Sequence, residues 1–252
     1  MWTNEPNRPG RAGGEIEPAQ HTAARVVGFL YVAQMALAIF GDSFVRGRMI
    51  VRADAAQTAA NIVGAERLFR LSLATDLIIY ATVIVLIWAL YVILKPVRGD
   101  VALLAVFLRL VENAILAGTI LGAFGALAFL SGAEYLRAFD QKQLEAFVSV
   151  SLRVYGAGFS IGFAFLGIGS AVFSYLWWKS CYIPRFIAAW GIFSSLLLSI
   201  VTLAIIVIPS LGVSLGLTYM MPMGIYEVGL GLWLLSKGLQ EPATSSPSLT
   251  VR

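Results

Sequence analysis

Six stretches of this chain are apolar over lengths that meet or approach the thickness of a lipid bilayer's hydrocarbon core. A helix that crosses this layer needs roughly 20 mostly apolar residues. Inside it the backbone has no water to bond to, which makes a helix that satisfies its own N–H and C=O groups the natural solution. Spans are expected at Ala23–Phe40, Leu71–Leu94, Val101–Leu130, Leu144–Trp178 and Pro184–Ile208, with a sixth between a turn at 209–212 and Ser236. Composition agrees: 59% of residues are hydrophobic, 13% are charged and mean hydropathy is +0.82. Soluble domains carry about a quarter charged residues. The expected fold is all-α, a polytopic transmembrane bundle of six spans with a short amphipathic helix in the first outer connector.

Residues 1–22 and 239–252 are polar and rich in Pro, Gly or Ser, and read as disordered tails around a transmembrane domain at 23–238. Ala36-Leu37-Ala38 mimics a signal-peptide cleavage site, but the long leading tail and the later spans favour a membrane anchor. In the connector Gly41–Arg70, Asp54 is placed to cap a helix, and Glu66 and Arg70 sit one turn apart. Asp140 is placed to cap the helix entering span four. With the N-terminus inside, the inner segments hold nine Lys and Arg against seven in the outer connectors. The bias is clearer in the short loops, so both termini are expected in the cytoplasm.

Net charge is +4 and the pI about 9.3, yet the basic residues lie mainly between spans, and no basic helix or aromatic platform suits nucleic acid. The single cysteine, Cys181, excludes an internal disulfide, and the single histidine, His21, precedes the first span. Haem, di-iron and multi-histidine zinc chemistry therefore lack ligands within the bundle, and no cofactor or metal is expected. Nucleophile elbows, Walker loops and Ser-His pairings are missing from the sequence, so catalysis is the weakest of three readings.

Ionisable groups inside spans cost a few kcal/mol each on insertion scales and so mark candidate sites. Arg109 and Glu112 share a face of span three, and Glu227 in span six lies at a similar depth. These three could bind a small ligand or relay protons, or simply lock two helices together. Asp76 and Arg153, with Tyr155, form a second candidate group near the outer mouth, where each charge could instead snorkel to water. Pro222 is expected to kink span six one turn before Glu227 and so to act as a hinge. Gly118–Gly122 and Gly158–Gly162 carry small-xxx-small spacing for close helix packing, within the chain or in a homo-oligomer. The pair Trp177 and Trp178, with Tyr175 and Tyr182, belongs to an interfacial belt.

The stretches ARVVGFLYV, VRADAAQTAANIVGAERLFRLSLATDL, LSGAEYLRAFDQKQLEAF and GIYEVGLGLWLLSKG resemble the bacterial membrane proteins grouped as domain of unknown function 4386. The resemblance covers about Ala23 to Leu239 and implies an inner-membrane protein of six or so helices, without a substrate or reaction. Where the family is expected to carry a histidine before the Tyr-Gly of span four, this chain has Arg153. Two readings lead. One is a membrane protein that binds or transports a small anionic or amphipathic molecule at Arg109, Glu112 and Glu227. The other is a non-catalytic accessory protein whose buried charges fix the fold and whose partner is another membrane protein.

Overall fold

The computed structural model describes residues 16–51 and 54–241, and its first helix already departs from the expected boundaries. Helix α1 begins at Pro18, not Ala23, and stays helical to Met49. Proline suits a first helical turn, because the N–H it lacks would have no partner there. After Ala38 the chain continues as a π-helix over Ile39–Arg46 and ends in one α-turn, Gly47–Met49. The connector expected from Gly41 thus starts nine residues later, after Met49. The remaining disorder expected at 1–15 and 242–252 lies outside the described residues. Leu239 and Gln240, expected in the C-terminal tail, dock instead: Leu239 is buried, and the Gln240 N–H donates to the Tyr182 carbonyl at 2.8 Å.

Helix α2 (Ala55–Gly64) starts where Asp54 Oδ1 accepts the Gln57 N–H at 2.8 Å. Helix α3 (Glu66–Leu94) carries the Glu66–Arg70 pair at 2.7 Å on its exposed first turn. Helix α4 spans Gly99–Phe129 and α5 spans Gln141–Ser180. Asp140 and Gln143 cap α5 reciprocally: each backbone N–H donates to the other's side chain, at 2.9 and 2.8 Å. At 40 residues, α5 is about 60 Å long, twice the hydrocarbon thickness, so part of it stands outside the bilayer. Its first turns pack with α2 and the start of α3 over Val45, Ile62, Phe69, Leu127 and Val148, forming an apolar cap.

Helix α6 covers Arg185–Val207, α7 covers Pro209–Leu215 and α8 covers Met221–Ser236. Five helices (α1, α3, α4, α5 and α6) are long and apolar enough to cross a membrane. The expected sixth span is interrupted. The turn expected at 209–212 is helical, Gly216 takes a left-handed φ of 56°, and a 3-10 turn at Thr218–Met220 precedes α8. The remaining 16-residue helix is about 24 Å long. Pro222 lies in the first turn of α8, so it opens the helix and does not kink it.

The long helices form a closed cycle of neighbours: α1 packs on α3, α3 on α4, α4 on α5, α5 on α6, α6 on α8, and α8 back on α1. Lipid is as apolar as leucine, so close packing and not the hydrophobic effect must hold such helices together. Glycine provides that closeness at the seam. A Cβ on Gly28 of α1 would lie 2.8 Å from the Gly231 carbonyl oxygen of α8. The α4–α5 seam works the same way, since a Cβ on Gly122 would stand 2.9 Å from the Ser151 carbonyl oxygen, and one on Gly158 would collide with Thr119. Gly118 faces open space.

Candidate functional site

Two groups of charged side chains are buried in this ring, and they differ in how well they are bonded. The first sits about 15 Å along α4 from its start, near mid-membrane. Arg109, Glu112 and Asn113 occupy one face of α4, and all three are buried. The Arg109 stem lies against α5, where a Cβ on Gly169 would stand 2.9 Å from Arg109 Cγ. Arg109 Nη1 approaches Glu112 Oε2 at 3.3 Å, but neither atom finds a hydrogen-bond partner among the described residues. Asn113 donates its Nδ2 to the Tyr80 carbonyl of α3 at 3.0 Å, while its Oδ1 is likewise unpartnered.

Across the interior, α8 presents Met223, Glu227, Leu230 and Leu234 at helical spacing, with Tyr226 beside them. Glu227 lies within Coulombic range of both Arg109 and Glu112, as does the buried Tyr31 of α1. Glu227 is half-buried. Among the described residues no ion pair within 4 Å engages Glu227. Tyr226 accepts a hydrogen bond from Ser174 of α5 at 3.0 Å, and Ser194 and Ser195 of α6 point their hydroxyls at the Met223 sulfur. Thus α1, α4 and α8, which are not all neighbours in the ring, bring ionisable side chains within Coulombic range of one another.

The second group lies nearer the opposite face, and its bonding is dense. Arg46, in the π-helical end of α1, is 4% exposed. Its guanidinium donates to Asp42 at 2.6 and 3.0 Å and to Asp76 of α3 at 2.8 and 3.0 Å. Further contacts reach the Ser72 carbonyl and hydroxyl at 3.3 Å. Tyr155 of α5 donates its hydroxyl to Asp76 at 3.0 Å, and its ring lies 5.8 Å from the Arg46 guanidinium carbon. The partner of Asp76 is therefore Arg46 and Tyr155, not the expected Arg153, whose side chain is exposed. Arg46 had read as part of a polar connector, and the one signal pointing to it was the one-turn spacing of Asp42 and Arg46. Glycine again provides room: a Cβ on Gly41 would lie 3.2 Å from Arg46 Nη2.

Asn113, Tyr31 and Tyr226 were also missed. Asn113 alone carried a readable signal, four residues from Arg109 and so on the same face. Pro222 contributes through its backbone, where its carbonyl accepts the Trp190 indole N–H of α6 at 3.0 Å. Among the described residues, no group of three or more His, Cys, Asp and Glu side chains could hold a metal ion. Two grooves, of about 660 and about 250 Å³, lie on the ring's lipid-facing side, and neither includes Arg109, Glu112 or Glu227 in its lining.

A ring of long apolar helices enclosing a few buried charges defines a multi-pass α-helical membrane protein. The chain belongs to the family described as "Domain of unknown function (DUF4386)", whose profile matches residues 26–238. Comparison with the curated proteins and with the solved structures gave no significant match.

Proposed function

We propose that this chain is a multi-pass protein of the bacterial cytoplasmic membrane, with both termini inside, that binds a small cationic ligand between Arg109, Glu112 and Glu227. The observation that carries the reading is the bonding of the mid-membrane group. A buried ion pair stabilises a fold only when its geometry is good and its remaining donors and acceptors are satisfied. The Arg46–Asp76 group meets that condition, whereas Arg109 and Glu112 touch without a hydrogen bond. Two carboxyl groups face one guanidinium here, so a ligand with one positive charge completes the balance. That count moves the expected ligand from an anion to a cation. Access requires a helix to move, and α8, short and entered through a broken segment, is the element suited to it. A relayed proton would use the same surplus carboxyl group.

The enclosure of the group favours a second reading, an accessory protein whose charges fix the bundle and whose partner is another membrane protein. Thermal melting in detergent against guanidinium, alkylammonium and choline salts, at constant ionic strength, separates the two. Binding at 100 times Kd stabilises by about 2.7 kcal/mol. At least one cation should raise the melting midpoint of the parent protein but not of Glu227→Gln. Equal responses of parent and variant to every cation would favour the accessory reading.

A further inference from the structure

The larger groove, of about 660 Å³, runs along the lipid-facing side of α1 and is polar at one end. His21, Arg25 and Phe29 are spaced at four residues, so they form one exposed stripe about 12 Å long. Two side-chain bonds fix the register of the wall opposite. Gln20 Nε2 donates to the Ile93 carbonyl at 2.9 Å, and Gln34 Nε2 donates to Thr82 Oγ1 at 3.0 Å. His21, Thr22 and Arg25 thereby sit toward the membrane face where α1 begins, while Phe29, Val85 and Leu235 line the deeper part. The one hydroxyl at that deeper end is committed, since Thr82 Oγ1 also donates to the Ile78 carbonyl at 2.8 Å. Among the described residues, no carboxylate stands within 4 Å of the Arg25 guanidinium.

We propose that this groove binds an anionic phospholipid, with its phosphate at Arg25, His21 and Thr22 and an acyl chain along Phe29, Val85 and Leu235. The occupant of a lipid-facing groove comes from the bilayer, and charge selects which lipid. A guanidinium offers phosphate a planar fork of donors, and basic pockets between transmembrane helices suit anionic headgroups. The apolar end excludes a ligand that is polar along its whole length. The second groove, lined by Ile84, Ile87, Trp88, Tyr91, Leu103, Val106 and Leu110, offers no charged side chain and serves as an internal contrast. This site lies apart from Arg109, Glu112 and Glu227, so it stands or falls independently of the cation proposal.

Native mass spectrometry of the full chain tests it, using phosphatidylglycerol and phosphatidylcholine with identical acyl chains. One phosphatidylglycerol should be retained about tenfold more tightly than phosphatidylcholine, because the two share a phosphate but only phosphatidylcholine brings a quaternary ammonium beside Arg25. Arg25→Gln should abolish that preference, and Val85→Trp should weaken retention of both lipids. Arg98→Gln should change nothing, because Arg98 is exposed on a different turn and paired with Asp100 at 2.6 Å. Equal retention of the two lipids by the parent, or a preference that survives Arg25→Gln, would overturn the proposal. Melting midpoints of the variants confirm that each is folded, since Arg25 and Arg98 bury no side-chain charge.

Discussion

At the scale of single residues, two aspartate and glutamate side chains at comparable burial behave as different kinds of group. Asp76 receives bonds from Arg46 and Tyr155, while Glu112 meets Arg109 at 3.3 Å without a hydrogen bond. Asp76→Asn weakens two charge-assisted bonds from Arg46 while Asp42 still pairs with it, so the variant should lose about 2 kcal/mol in denaturation experiments. Tyr155→Phe removes one hydrogen bond and should lose about 1 kcal/mol. Arg153→Gln, at an exposed side chain, should stay within about 0.5 kcal/mol. The rule that charge in a span is costly singles out Asp76, Arg109, Glu112, Arg153 and Glu227 from sequence, and of these Arg153 proves exposed. It could not name the partner of Asp76. Arg46 follows a glycine and an aspartate in what reads as a polar loop, and only the π-helical extension of α1 carries it inward.

At the scale of helices, local chemistry was legible wherever the cause was local. Asp54 and Asp140 cap the helices that their positions imply, and the pair Glu66–Arg70 forms on the first turn of α3. Glycine spacing was readable, but which glycine meets a neighbour depends on how the helices cross. Gly28 abuts the backbone of α8 while Gly118 faces open space. Gly28→Ala should therefore destabilise by about 2 kcal/mol through overpacking. Gly118→Ala should gain about 0.5 kcal/mol from helix propensity, and paired thermal melts would show the opposite signs. The last turn of α5 gives another prediction. Cys181 holds a left-handed φ of 56° at its C-cap, a conformation suited to glycine. Cys181→Gly should raise stability by about 1 kcal/mol in the same assay. The interruption of the sixth apolar stretch was not legible, because residues 209–220 carry no charge to mark a boundary and apolarity alone does not distinguish one helix from two.

At the scale of the whole molecule, the closed cycle of helices brings a sequence-distant set of side chains within Coulombic range of one another. Helix α4 supplies Arg109, Glu112 and Asn113, α8 supplies Glu227 and Tyr226, and α1 supplies Tyr31. Pairing by depth anticipated that Glu227 and Arg109 would come near each other, but not that they would remain outside ion-pair distance. Glycine seams, an apolar cap and the Arg46–Asp76 group hold helices together, and we propose that the mid-membrane charges have no structural task. This is the central claim, and the stability of Glu227→Gln in detergent tests it most directly, measured beside Asp76→Asn. A melting midpoint equal to or above that of the parent is predicted, because the substitution removes the charge of a half-buried carboxyl group that no ion pair within 4 Å holds among the described residues. A fall as large as that of Asp76→Asn would contradict the account and make the mid-membrane group a structural lock.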